Sequence, residues 1–180
     1  RNVTLAIGTN PSGGTLSGTA SVAAVAGVAT FNNLSINKTG TGYTLAATSS
    51  PTLTGATSTA FNISVGAAAK LMFLQQPTNA ASGLSISPAI TVQIQDAGGN
   101  LVSSDTRNVT LAIGTNPGGG TLSGTASVAA VAGVATFSGL SINKTGTGYT
   151  LAATSSPALT GATSTAFNIS VGAATKLVFG

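Results

Sequence analysis

The chain has 180 residues, of which 42% are hydrophobic and only 4% charged, with a formal net charge of +4. The length admits one or two domains, and a charge content far below the roughly 25% of an average soluble domain leaves Thr, Ser, Asn, Gln and Gly to cover the surface. The six basic residues stand singly, at Arg1, Lys38, Lys70, Arg107, Lys144 and Lys176, which excludes the clustered cations of a nucleic-acid binder; the lack of Cys and His excludes thiolate and Ser–His nucleophiles and the usual structural zinc sites.

The first eleven residues, RNVTLAIGTNP, return at Arg107, a period of 106 residues. Residues 1–74 align without gaps on 107–180 and are identical at 67 of 74 positions. The seven differences are Ser12/Gly118, Asn32/Ser138, Asn33/Gly139, Thr52/Ala158, Ala69/Thr175, Met72/Val178 and Leu74/Gly180. A unit this long is a domain-sized module rather than a solenoid turn. GAAAKLMF at 66–73 recurs in part as GAATKLVF at 172–179, so a module starts near Ala67. The expected organisation is therefore 1–66 as the C-terminal portion of one module, 67–172 as a complete module, and 173–180 as the first strand of a following one.

Within 67–172 the hydrophobic period is two, as in half-buried strands. Leu71 and Phe73 alternate in the first strand; Ile90, Val92 and Ile94 in the second; Val109, Leu111 and Ile113 in the third. DAGGN at 96–100 and TNPGGG at 115–120 supply turn chemistry between and after them. The Ala-rich run around Gly133 has helix-forming composition, but Gly133 between flanking valines predicts a hairpin. Tyr149, Leu151 and Ala153 are expected on one face of a later strand, and Phe167, Ile169 and Val171 on one face of the last. No apolar run approaches the roughly 18 residues of a membrane span.

About seven short strands in roughly 100 residues without Cys is the arithmetic of an immunoglobulin-like sandwich. The fold expected is all-β, as tandem immunoglobulin-like antiparallel β-sandwiches. Tyr149, and its copy Tyr43, each follow a Gly-rich corner. Each is either a tyrosine corner, with the hydroxyl tied to nearby backbone, or an ordinary core Tyr.

The strings VQIQDAGGNLV (92–102), RNVTLAI (107–113), GTLSGT (120–125), GVATFSGLSI (133–142) and GTGYTLAATS (146–155) follow one another in this order. In this the sequence resembles the bacterial immunoglobulin-like domains of invasin- and intimin-type surface proteins, over most of the module. The resemblance implies a secreted array whose domains act as stiff spacers, located outside the cell or on its surface. The low charge content departs from the better-known members of that family.

Catalytic chemistry has little to work with. Asp96 and Asp105 are the only side-chain carboxylates, and both fall in turn-like or polar segments where solvated caps are expected. With Asn100 they supply oxygen donors near one end, but a dedicated calcium site takes more carboxylates than two. No metal or other cofactor, and no enzymatic activity, is expected. GTNPGGG lacks the Lys-Ser/Thr ending of a phosphate loop and reads as a turn. Lys70 and Asn168, in the first and last strands, could form an isopeptide only beside a buried acid, and an exposed Lys and Asn is the preferred reading. Of seven Asn-X-Ser/Thr sequons, Asn37 and Asn143 in the loop-like INKTGTG are the candidate glycosylation sites.

Three roles remain for such a chain: a stalk or spacer of a large surface protein, a filament subunit joined by strand exchange, or a ligand- or glycan-binding adhesin module. The expected partners are neighbouring repeats of the same chain or, in a filament, identical chains; nucleic acid and membrane are not expected. The short apolar link SVGAA (170–174) predicts restricted bending between modules.

Overall fold

The computed structural model describes residues 1–172 and 174, so the opening strand predicted at 173–180 lies, but for Ala174, outside the described residues. The structure is all-β: among the described residues there is no helix, and the sheets are built mainly of antiparallel pairs. Two compact units are present. The first is Arg1–Gly66 with the turn Ala97–Asn100; the second is Ala67–Asp96 with the described residues from Leu101 onward.

The first unit contains β1 (Asn2–Ile7), β2 (Leu16–Ser17), β3 (Ser21–Ala23), β4 (Ser35–Ile36), β5 (Gly40–Tyr43), β6 (Leu45–Ser50), β7 (Ala56–Thr57) and β8 (Phe61–Ile63). They form a four-stranded sheet in the order β3-β1-β6-β7 and the pairs β2-β4 and β5-β8.

The second unit repeats this set and adds to it. Its strands are β9 (Ala68–Gln75), β10 (Ala80–Ala81), β11 (Ile90–Asp96), β12 (Asn108–Ile113), β13 (Leu122–Ser123), β14 (Ser127–Ala129), β15 (Val134–Phe137), β16 (Ser141–Ile142), β17 (Gly146–Tyr149), β18 (Leu151–Ser156), β19 (Ala162–Thr163) and β20 (Phe167–Ser170). The sheet β14-β12-β18-β19 matches that of the first unit, with Val109 opposite Ser155 as Val3 is opposite Ser49. Two further sheets, β15-β11-β9 and β10-β20-β17, need the segment 67–106.

Alternation decides which side chains go inside. Ile90, Val92 and Ile94 on β11 are fully buried, and so are Val109 on β12, Leu151 on β18 and Ile142 on β16. They join one apolar cluster enclosed by the sheets, the arrangement of a sandwich. Each fully buried Val, Leu or Ile contributes about 1.5–3 kcal/mol.

The structure departs from the sequence pattern at three points. Tyr149 and Leu151 do not share a strand: the chain changes sheets at Thr150, where Gly114 N donates to the Thr150 carbonyl and Thr115 N to its hydroxyl, both at 2.8 Å. Alternation survives the change, so all three of Tyr149, Leu151 and Ala153 are still buried. The last strand stops at Ser170, and Val171 is 81% exposed. Asp96 is not in the turn but closes β11 and is buried.

Candidate functional site

The hairpin at Gly133 reverses through two residues. Ala132 and Gly133 both have positive φ, +48° and +76°, between the bridged Val131 and Val134. That is the conformation of a type I′ turn, whose twist matches the flanking strands.

The Gly-rich loop at 115–120 has a packing role. Asn116 clasps Gly120 from both sides: its Nδ2 donates to the Gly120 carbonyl at 2.8 Å, and its Oδ1 accepts from Gly120 N at 2.7 Å. A side chain at Gly120 would put its Cβ 2.7 Å from Ile142 Cγ2 and 3.0 Å from the Tyr149 hydroxyl. The glycines let backbone close around the ring of Tyr149, which is fully buried and lies 6.1 Å from that of Phe167. The Tyr149 hydroxyl donates to the Lys144 carbonyl at 3.0 Å, and the Tyr43 hydroxyl to the Lys38 carbonyl at 3.0 Å. Each ties its corner to backbone five residues upstream.

The candidate glycosylation residues lie in the same corners. Asn37 and Asn143 are exposed, and their Oδ1 atoms accept from Thr15 N at 2.7 Å and Thr121 N at 2.8 Å. A glycan attached at Nδ2 would leave both bonds in place.

Asp105, read from the sequence as a solvated cap, does accept from the Arg107 backbone N–H at 3.0 Å, but its carboxylate is held by the Arg107 guanidinium rather than by solvent. The guanidinium contacts both carboxylate oxygens at 2.6–3.0 Å and also donates to the Pro157 carbonyl at 2.9 Å. The two side chains are 16% and 10% exposed, Arg107 and Asp105 respectively. Hydrogen bonding from Arg107 holds the Asp105 carboxyl below its ordinary range. An Asp two residues before an Arg was the only signal for this pair. Lys70 and Asn168 lie in different sheets, Lys70 on β9 and Asn168 on β20, where Asn168 Oδ1 accepts from Gly148 N at 3.0 Å. Among the described residues no three His, Cys, Asp or Glu side chains gather as a metal set, and no helix is long and apolar enough to cross a membrane.

The largest difference between the units is burial. In the first unit, among the described residues, Tyr43 alone of the apolar side chains is fully buried. Val3, Leu5, Phe31, Leu34, Leu45, Phe61 and Ile63 are half-buried, whereas their copies Val109, Leu111, Phe137, Leu140, Leu151, Phe167 and Ile169 are buried. A recess of about 130 Å³ opens on this face, lined by Leu16, Leu34, Ser35, Ile36, Leu45, Phe61 and Ile63.

No family model and no curated protein matches the chain. Among solved structures, it is similar to a beta-glycosidase from Bacteroides vulgatus, at 13% identity and a TM-score of 0.47, over 94% of this chain and 21% of that one. It is also similar to a glycosyl hydrolase family 2 member from Bacteroides cellulosilyticus, at 15% identity and a TM-score of 0.45, over 92% and 21%. A Parabacteroides merdae beta-glucuronidase matches at 15% identity and a TM-score of 0.40, over 90% and 20%. The chain thus spans about a fifth of the length of these enzymes. Likeness at this level carries no argument about activity.

Proposed function

We propose that the chain is a structural repeat, a stalk or spacer of a large extracellular or cell-surface protein, with invasin/intimin-type immunoglobulin-like modules and no catalytic role. The observation that carries this reading is the 106-residue period, 67 of 74 aligned positions identical, with each copy folding around the same tyrosine-tied corner. Such duplication adds length in module-sized steps without adding chemistry. A surface of Thr, Ser and Asn, with no His or Cys, supports a passive role.

Chains of two, four and eight modules test it by small-angle scattering. A spacer gives a radius of gyration that grows linearly with module number. Growth with the square root, as for freely jointed beads, overturns the stiff-spacer reading.

A further inference from the structure

On the outer face of the second unit, β9 and β11 bring a thioether against a buried carboxamide. Leu71 and Phe73 on β9 are buried in the core, so Met72 between them turns outward and is 39% exposed. Val92 and Ile94 on β11 are buried likewise, which puts Gln93 and Gln95 on the face that carries Met72, with Gln93 directly opposite it. Gln95 faces outward and yet is only 6% exposed. Its backbone is fixed on both sides, paired with Lys70 on β9 and bridged to Leu101. Its Nε2 donates to Gln93 Oε1 at 3.1 Å and to Met72 Sδ at 3.4 Å. Both amide hydrogens are thus committed, one of them to a thioether, which is a weak acceptor.

We infer that Met72 is a modification site, oxidised by hydroperoxides to a sulfoxide that Gln95 holds in place on the sheet. The Sδ lone pair attacks one oxygen of the peroxide. The O–O bond breaks and an S–O bond forms; the proton of the attacked oxygen passes to the departing one, which leaves as water or an alcohol. Sulfur gives up two electrons and the hydroperoxide takes them. Exposure of Met72 gives the oxidant access. Sulfoxide formation ordinarily damages a fold by making an apolar core side chain polar, but Met72 is not a member of the buried apolar cluster. The oxygen it gains is a far stronger acceptor than the thioether, and it is gained where a buried N–H donor already points. Met72 is the one methionine, and the chain has no Cys or Trp to compete for the oxidant. The aligned position in the next copy is Val178, so the site belongs to this copy of the repeat and not to the repeat as such.

The test treats the folded 180-residue chain with hydrogen peroxide and maps it with trypsin, which cuts after Lys70 and Arg107 and releases 71–107. That peptide is expected to gain one oxygen atom while the chain stays folded. The side-chain amide resonances of Gln95 are expected to move on oxidation, as its N–H changes acceptor; this readout needs no variant. Hydrogen–deuterium exchange at 71–75 is expected to be no faster in the oxidised chain than in the untreated one. In Gln95→Ala, oxidation is expected to speed exchange there by about threefold or more, the scale of one net hydrogen bond. Each variant is compared with its own untreated form, so a general loss of stability from the substitution does not enter. Oxidation only of the denatured chain overturns the inference. Unmoved Gln95 amide resonances overturn it too. So does faster exchange in the oxidised wild type, or an equal response in Gln95→Ala, either of which would mean that Gln95 does not hold the sulfoxide.

Discussion

The Tyr149 hydroxyl donates to the Lys144 carbonyl at 3.0 Å, from a side chain with no exposed surface. Removing that hydroxyl leaves a carbonyl in the corner without this donor. Tyr149→Phe is expected to lower the stability of the second unit by about 1–2 kcal/mol. Tyr43→Phe should act on the first unit in the same way, through Lys38. Urea unfolding followed by exchange at residues of each unit separates the two effects. An unchanged midpoint for both variants would mean that the corner bonds add nothing net.

Ala132 holds φ at +48°, where an alanine costs about 1–2 kcal/mol relative to a residue suited to that region. It is exposed, so its replacement disturbs no packing. Ala132→Asn creates the Asn-Gly pair favoured in type I′ turns and is expected to stabilise by up to about 1 kcal/mol. Ala132→Val is expected to destabilise. Thermal unfolding midpoints of the two variants should move in opposite directions.

Gly133 and Gly27 occupy the same turn in different surroundings. Gly133→Ala drives a Cβ against the Val102 carbonyl and is expected to cost more than about 2 kcal/mol. Gly27→Ala meets only the backbone strain of a φ of +83° and is expected to cost about 1 kcal/mol. Equal losses would mean that contact with Val102 is unimportant.

The Asp105–Arg107 pair gives a pH dependence with a definite sign. The folded-state pKa of Asp105 lies below its ordinary 3.8. The pair's stabilisation is therefore present above that ordinary value and is lost as pH falls through the lower folded value. Arg107 is shifted upward and stays charged throughout this range. Asp105→Asn is expected to cost about 0.5–1 kcal/mol at pH 7 and much less at pH 2. Guanidinium unfolding of variant and wild type at both pH values measures the difference.

Much of the fold was legible because alternation and turn residues agree. Val92, Ile94, Val109 and Leu111 read as inward-facing and are buried. The sheet change at Thr150 was not legible, because alternation runs through it unbroken. The Asp105–Arg107 pair was hidden as well, since an Asp in SSDT has the composition of a solvated loop. VATF shows the deeper limit. At 134–137 it is a strand and at 28–31 it is not, with the same four letters. Strand character there resides in the partner, which no local window contains. The tyrosine corner was legible in the Gly-rich run before Tyr149, whereas its bond to the Lys144 carbonyl needed the folded corner.

β10 lies parallel to β20, with Ala80 beside Ile169 and Ala81 beside Ser170, and Lys70 is bridged in parallel to Thr160. The strands that open and close the second unit thus run the same way where β10 meets β20, so the chain arrives at one end of that edge and departs from the other.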